Sequence, residues 1–322
     1  MRRGMSSSAT PHDDLRNLIE TVPPLPCAPV EAIEAASADA SLGGLSTHLA
    51  RVATAQGRAT PRMTQPLVAV FAGAHAVAGE GASAHARARV DALTRGISPL
   101  RGIAAEAGAA FKIYEFGIEH PCADMCEGPS LTPRETAAAF AFGMEVVAEG
   151  ADVIALGSVG AGTSAAAAAI ACALYGGASA DWASGPNGSD VQAALSANAK
   201  ALGDPLETLS AFGGRDLAGL AGAITAARYQ NIPVILDGFA TCAAAAVLYA
   251  VAPDSLAHCI AGHRSAEFAQ HALLDRLGLS PVVDFGIGVG DGTGAALALG
   301  SLKSAAAGLA TSTTAPSATA SS

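Results

Sequence analysis

Residues 151–174 read ADVIALGSVGAGTSAAAAAIACAL, and this stretch combines the three patterns that decide the fold. Its first part, ADVIALG (151–157), is a short apolar run with Val and Ile, which is typical of a buried strand. A glycine-rich turn, Gly157 to Ser164, follows it and leads into an alanine-rich helical stretch. A buried strand that passes through glycines into a helix is the unit from which parallel, helix-covered sheets are built.

The same unit recurs along the chain. The further apolar runs, most of them bounded by Gly or Pro, predict strands in PLVAVFAG (66–73), FKIYEFGI (111–118), IPVILDG (232–238) and PVVDFG (281–286). Helical stretches are predicted between the strands, over residues 132–149, 164–176, 190–202, 214–230, 240–251 and 265–278. We therefore predict an α/β fold in three layers, with a mostly parallel sheet and helices on both faces.

The two ends of the chain differ in character from its middle. Residues 15–60 carry apolar side chains at helical spacing and predict a small helical segment beside a large α/β domain at 61–308. Residues 1–14 and the tail 309–322, which ends ATSTTAPSATASS, are polar and small and predict disorder.

Composition argues against several classes of function. The formal net charge of −10 and the absence of a Lys/Arg cluster beyond residues 2–3 argue against nucleic-acid binding. The longest apolar stretch, 232–252, is mostly alanine and is interrupted by a proline and an aspartate, so no membrane span is predicted. The first residues lack the apolar segment of a secretory signal, which predicts a cytoplasmic protein. The six scattered cysteines favour buried reduced thiols over zinc sites or disulfides.

The first glycine-rich turn predicts a phosphate site. Ligands bind at the carboxyl ends of parallel strands, where such turns open into helices. Gly160 and Gly162 let the backbone approach an anion closely, the helix start offers free N–H groups, and Thr163 and Ser164 add hydroxyls. The turn matches neither a Walker loop nor GxGxxG. The alternative is a tight turn whose hydroxyls only cap the helix.

A second turn, GVGDGTG (288–294), places Asp291 just before a helix. A carboxylate there can act as a general base, although helix capping is the common role of such an aspartate. Asp237, at the end of a predicted strand, has the same two interpretations: substrate contact or capping. His75 and His263 also follow apolar segments and are candidates, but a lone histidine is more often structural.

Five segments keep the order and approximate spacing of one known family: PLVAVFAGAH (66–75), AFGMEVVAEGADVIALG (141–157), FGGRDLAGLAGAITAARYQNIPVILDGFATCAAA (212–245), GHRSAE (262–267) and GVGDGTGAALAL (288–299). Together they resemble the nicotinate-nucleotide:dimethylbenzimidazole phosphoribosyltransferases over about residues 15–308. The LDGF and GDGTGAALAL motifs are the most distinctive of these features.

The resemblance implies a large α/β domain with a small helical domain, assembled as a homodimer. It implies transfer of phosphoribose from nicotinate mononucleotide to a benzimidazole base, which gives α-ribazole 5′-phosphate and nicotinate for cobalamin, with no cofactor and no metal. Asp291 matches the position of a glutamate that accepts the proton of the base. The implied phosphate and nucleotide contacts are Gly160, Gly162, Thr163, Ser164, Asp237, Ser265, Gly292 and Thr293, and the implied base contacts are His75, Ser83 and His85.

Several positions depart from the family pattern. Ser158 replaces a glutamate, Asp291 is one methylene shorter than the glutamate it matches, and the segment GASAHARARVDAL (81–93) has no counterpart for a glutamine of the base pocket. These changes leave a second hypothesis: a catalytically silent paralogue that binds a ligand or pairs with an active homologue.

Overall fold

The computed structural model describes residues 10–28, 42–183 and 187–314. The six strands found within these ranges form one parallel sheet in the order β2-β1-β3-β4-β5-β6. Their bounds are β1 Pro66–Ala74, β2 Ala110–Glu115, β3 Val153–Ala161, β4 Val234–Leu236, β5 Cys259–His263 and β6 Pro281–Val283. The predicted α/β architecture is thereby confirmed, and β5 is a strand that the sequence patterns missed.

Helices cover both faces of the sheet, and each face has its own hydrophobic core. The bounds of the helices are α1 Pro11–Glu20, α2 Leu45–Ala55, α3 Ala82–Thr94, α4 Leu100–Glu106, α5 Pro133–Met144, α6 Thr163–Tyr175, α7 Ser179–Trp182, α8 Asn187–Ala197, α9 Pro205–Phe212, α10 Gly214–Tyr229, α11 Gly238–Val251, α12 Phe268–Leu277 and α13 Thr293–Thr314. Helices α1, α5, α6 and α9 to α11 pack on one face, whereas α2, α3, α4 and α13 pack on the other.

The strand order reverses between β1 and β3. From β1 the chain moves outward to β2 and then returns to form β3 on the opposite side of β1. The two strands stay paired to their ends, where Gly73 lies opposite Gly160 and Ala74 opposite Ala161. Loops diverge at such a reversal and leave a crevice in which ligands of doubly wound sheets bind.

The glycine-rich segment after residue 157 is mostly strand, which corrects the predicted turn. Strand β3 continues to Ala161 because β1 offers hydrogen-bond partners along this whole length. Gly160 is required there, since a Cβ would lie 2.3 Å from the carbonyl oxygen of Gly73. Gly162 alone turns the chain, with a φ of +81° that favours glycine.

The predicted disorder at the two ends is wrong for residues 11–14 and 309–314. Helix α1 begins at Pro11 because Thr10 accepts a hydrogen bond from the N–H of Asp13, whose carboxylate accepts one from the N–H of Thr10. Helix α13 continues to Thr314, and the side chain of its Leu309 is buried in the core. Residues 1–9 and 315–322 lie outside the described residues.

The predicted helical segment 15–60 contributes helices to both faces of the sheet. Leu15 and Ile19 of α1 belong to one core, whereas Leu49 and Val52 of α2 belong to the other. The division of the chain near residue 60 into a small and a large domain stays a prediction.

Candidate functional site at the strand reversal

The start of α6 forms an anion cradle at the carboxyl end of β3. The first N–H groups of a helix have no intrahelical acceptor, and its dipole places partial positive charge there. A cavity of 230 Å³ lies against Gly160, Gly162 and Ser164. Because Ser164 is exposed, its hydroxyl can reach a ligand in this cavity. The geometry therefore suits a phosphate group.

Thr163 points away from this cradle into the interior. Its Oγ1 donates a hydrogen bond of 3.1 Å to Oδ2 of Asp216, and Oδ1 of Asp216 lies 2.9 Å from Nε2 of His75. These three side chains are at most 7% exposed. Burial lowers the pKa of His75, but the Asp216 carboxylate outweighs it and raises this pKa to about 10. The resulting ion pair connects the end of β1, the start of α10 and the start of α6.

Two glycines make room for this ion pair. A Cβ at Gly73 would lie 2.3 Å from Cγ of Asp216, and a Cβ at Gly162 would lie 2.8 Å from Cβ of His75. Sequence reasoning proposed His75 as a base contact; the structure places its ring under the cradle, paired with Asp216. Asp216 itself was missed, although it lies in the GGRD part of a segment that carried the family resemblance.

Asp237 holds the second predicted turn in place. Its Oδ2 accepts a hydrogen bond of 2.6 Å from the N–H of Gly292, and its Oδ1 accepts one of 2.6 Å from the N–H of Ala295. Nδ1 of His263 lies 2.9 Å from the same Oδ1. Burial lowers the pKa of His263, and the Asp237 carboxylate raises it above its usual value. Asp237 is fully buried and therefore positions the start of α13, rather than capping α11, its own helix.

Asp291 has the capping role, one of the two roles considered for it, and its base role stays a prediction. Its Oδ1 accepts a hydrogen bond of 3.1 Å from the N–H of Thr293 and so caps α13. Its Oδ2 has a weaker contact, a 3.4 Å hydrogen bond from Oγ of Ser98, and retains capacity to accept a proton. Sequence reasoning did not identify Ser98, because nothing in its local pattern points to the distant Asp291.

The turn that carries Asp291 lies directly against Gly157 and Ser158 of β3. The N–H of Ser158 donates a 2.7 Å hydrogen bond to the carbonyl oxygen of Gly290. The hydroxyls of Ser158 and Thr293 are buried and have no hydrogen-bond partner among the described residues. Since buried polar groups are nearly always paired, these two hydroxyls are candidates for contact with a substrate.

The loop after β5 completes the rim of the cradle. A second cavity, of 240 Å³, is bordered by Ser164, Glu267 and Gly288. The Oγ of Ser265 accepts a hydrogen bond of 3.1 Å from the N–H of Glu267 and shapes this loop. Burial raises the pKa of Glu267, although a hydrogen bond with Ser164 lowers it in part. Glu267, which the sequence analysis missed, thus lies beside Ser164 at the edge of the predicted phosphate position.

The remaining predicted base contacts lie on α3. Ser83 is half-buried in the first turn of this helix, and His85, two residues later, is exposed. The structure thus brings Asp237 against the turn that carries Asp291, Gly292 and Thr293, and Gly160 to Ser164 lie beside this turn. It places Ser83 and His85 on a separate helix, where their predicted role stays a prediction.

A family model described as a phosphoribosyltransferase matches residues 31–319 of this chain. The chain belongs to this phosphoribosyltransferase family. Relatives with the name nicotinate-nucleotide–dimethylbenzimidazole phosphoribosyltransferase include those of Methylocella silvestris, 42% identical with 94% of each chain covered, and Brucella anthropi, 40% identical with 94% of this chain and 95% of the relative covered. The resemblance inferred from the sequence is confirmed.

Solved structures agree with this assignment. A crystal structure of the same-named enzyme from Thermus thermophilus is 30% identical, with a TM-score of 0.79 over 88% of this chain and 96% of the other. A structure of CobT from the same organism is also 30% identical, with a TM-score of 0.76 over 92% and 94% of the two chains. Within the described residues, no helix is long and apolar enough to cross a membrane.

Proposed function

We propose that this phosphoribosyltransferase transfers phosphoribose from nicotinate mononucleotide to a benzimidazole base, which yields α-ribazole 5′-phosphate for cobalamin. The names of its relatives support this substrate pair. The single observation that carries the mechanism is that the Asp291 turn is hydrogen-bonded to Ser158 of β3, the strand that leads into the anion cradle of α6.

The phosphate of the nucleotide binds at the start of α6. Backbone N–H groups of Thr163 and Ser164 and the Ser164 hydroxyl donate to the phosphate oxygens, and the helix dipole adds to the attraction. Glu267 lies beside Ser164, so its protonated form favours phosphate binding and its ionised form repels the phosphate. The ribose then extends towards the turn at Gly292.

The transfer step forms one C–N bond and breaks another. A ring nitrogen of the base attacks C1′ of the ribose, while the bond between C1′ and the pyridinium nitrogen breaks. The bonding pair neutralises that nitrogen, so nicotinate leaves without needing a proton. The proton on the other ring nitrogen of the base passes to Oδ2 of Asp291. Ser98 contacts this oxygen, and the N–H of Thr293 holds the other carboxylate oxygen, Oδ1.

We also propose the assembly, location and substrate contacts that the resemblance implied. The protein acts as a homodimer on small molecules in the cytoplasm, with its own side chains supplying the proton transfer. The roles of Ser83, His85 and Ser265 as substrate contacts belong to the same proposal.

The test is incubation of the purified chain with nicotinate mononucleotide and a panel of benzimidazoles and phenols, with chromatography of released nicotinate. We expect release that depends on a benzimidazole, with one ribazole phosphate formed for each nicotinate. Titration with each substrate alone accompanies the assay. Binding without release, beside an active relative as control, would refute catalysis and favour a silent partner subunit.

A further inference from the structure

A thiol lies at the far end of the ion pair that supports the cradle. Sγ of Cys122 is 3.5 Å from Nδ1 of His75, whose other ring nitrogen contacts Asp216. The backbone fixes this contact. The N–H of Cys122 donates a hydrogen bond to the carbonyl oxygen of Ala74, and the carbonyl oxygen of Cys122 accepts one from the N–H of Ala76. Four side chains are thus connected in series: Cys122, His75, Asp216 and Thr163.

Cys122 also borders a cavity that is separate from the cradle. This cavity has a volume of 450 Å³ and shares no lining residue with the two cavities at Ser164. Arg215 and Ser130 line it together with Cys122. A small molecule that enters this cavity therefore lies against Cys122 without occupying the phosphate position.

We propose that Cys122 is a modification site for small hydroperoxides and other soft electrophiles, and that its modification loosens the phosphate cradle. Nδ1 of His75, 3.5 Å from Sγ, is placed to stabilise the negative charge that develops on the sulfur when it attacks an electrophile. Asp216 keeps His75 in the charged form that this requires. The effect on the cradle rests on the proposed function, whereas the reactivity of the thiol does not.

The reaction with a hydroperoxide is balanced by groups in the cluster. The thiolate attacks the terminal oxygen, the O–O bond breaks, and the departing alkoxide takes the proton of the His75 imidazolium. The sulfur is oxidised to a sulfenic acid and the hydroperoxide is reduced to an alcohol. His75 becomes transiently neutral, and a new hydroxyl occupies the space beside its ring, so Asp216 no longer holds Thr163 in the same position.

The first experiment is timed alkylation of the full chain with iodoacetamide at pH 7, with each cysteine followed by peptide mass spectrometry. Exposed Cys27 is the control for an ordinary thiol. Because His75 lies beside the attacking sulfur, we expect Cys122 to react on the order of ten-fold faster than Cys27 despite its burial. Alkylation of Cys122 at or below the rate of Cys27 would overturn the proposal.

A second arm removes the imidazole. In His75→Gln we expect the alkylation rate of Cys122 to fall at least to that of Cys27, because the imidazolium of His75 is absent. Cys242 reports on unfolding: burial raises its pKa to about 12, so it is labelled only if the fold opens. If His75→Gln unfolds, Asp216→Asn replaces it as the test of the same cluster. Unchanged labelling of Cys122 in a folded variant would contradict the role of His75.

The last arm treats the protein with hydrogen peroxide, confirms a single added oxygen on Cys122, and titrates nicotinate mononucleotide. We expect the Kd to rise several-fold in the wild type and to stay constant in Cys122→Ala. An unchanged Kd after complete oxidation would refute the link to the cradle. An untreated chain that fails to bind the nucleotide would instead count against the proposed function, and the alkylation result would still stand.

Discussion

Replacing Asp237 by Asn tests whether a buried carboxylate fixes the catalytic turn. The change keeps the shape of the side chain but replaces one acceptor oxygen with an NH2 group. Both oxygens accept a backbone N–H at 2.6 Å, and Oδ1 also pairs with His263. Whichever way the amide is oriented, one N–H at the start of α13 faces another donor.

The expected loss of stability follows from these contacts. Removing one member of a buried ion pair lowers the free energy of unfolding by about 3–5 kcal/mol, because the other charge is left uncompensated. A domain's total stability is about 5–15 kcal/mol, so the variant should stay folded near 25 °C but unfold at a clearly lower urea concentration. Since Gly292 adjoins Asp291, kcat should fall as well.

The assay is urea unfolding followed by circular dichroism, with Asp91→Asn as the matched control. Asp91 is a half-exposed surface residue 3.5 Å from Arg95, so its loss should change the free energy of unfolding by less than about 1 kcal/mol. A double variant with His263→Gln should lose less than the sum of the two single changes. If Asp237→Asn lowers the free energy of unfolding no more than Asp91→Asn does, the Asp237 carboxylate does not hold the turn.

Three further predictions concern the cradle. Gly162→Ala should lower the free energy of unfolding by roughly 1–2 kcal/mol or more, because Gly162 has a positive φ, and should raise KM for the nucleotide. The control Gly300→Ala, in open space on α13, should not lower the free energy of unfolding. Equal urea midpoints for the two variants would contradict the requirement for glycine at position 162. The stability that His75 contributes is complete below its ordinary pKa of 6.5 and is lost as pH rises towards 10. From pH 7 to 9 the free energy of unfolding of the wild type should therefore fall relative to that of His75→Gln in urea titrations, and parallel curves would disprove the ion pair. The raised pKa of Glu267 predicts that nucleotide affinity falls as this carboxyl ionises. Glu267→Gln should abolish that part of the pH dependence of the affinity in titration calorimetry. Identical pH profiles for Glu267→Gln and the wild type would exclude repulsion between Glu267 and the phosphate.

The sequence predicted the sheet because its strands are apolar runs with clear boundaries. It missed β5, whose sequence CIAGH is short and contains a buried histidine. It ended β3 too early because glycines usually mark turns, whereas Gly160 is present for the close approach of β1. Local patterns cannot show which neighbouring strand will continue to supply hydrogen-bond partners.

The candidate site was predictable where its residues form one motif. Asp291, Gly292 and Thr293 belong to a single turn, and their grouping was read directly from GDGTG. The supporting contacts were not predictable, because Ser98 and Asp216 reach the site from segments distant in sequence. The sequence marked His75 and Asp237 as candidates, but only the fold shows that they support the loops of the site. His75 pairs with Asp216, and Asp237 accepts hydrogen bonds from the turn at Gly292.

The most direct test of the central claim compares single-turnover transfer by the wild type, Asp291→Asn and Asp291→Glu, with nicotinate mononucleotide and dimethylbenzimidazole. General-base catalysis contributes about 10²–10⁴-fold, so the asparagine variant should transfer at least about 100-fold more slowly while nucleotide Kd changes little. The glutamate variant, which retains a carboxylate, should keep far more activity than the asparagine variant. Equal transfer rates for the wild type and Asp291→Asn would contradict the assignment of Asp291 as the proton acceptor.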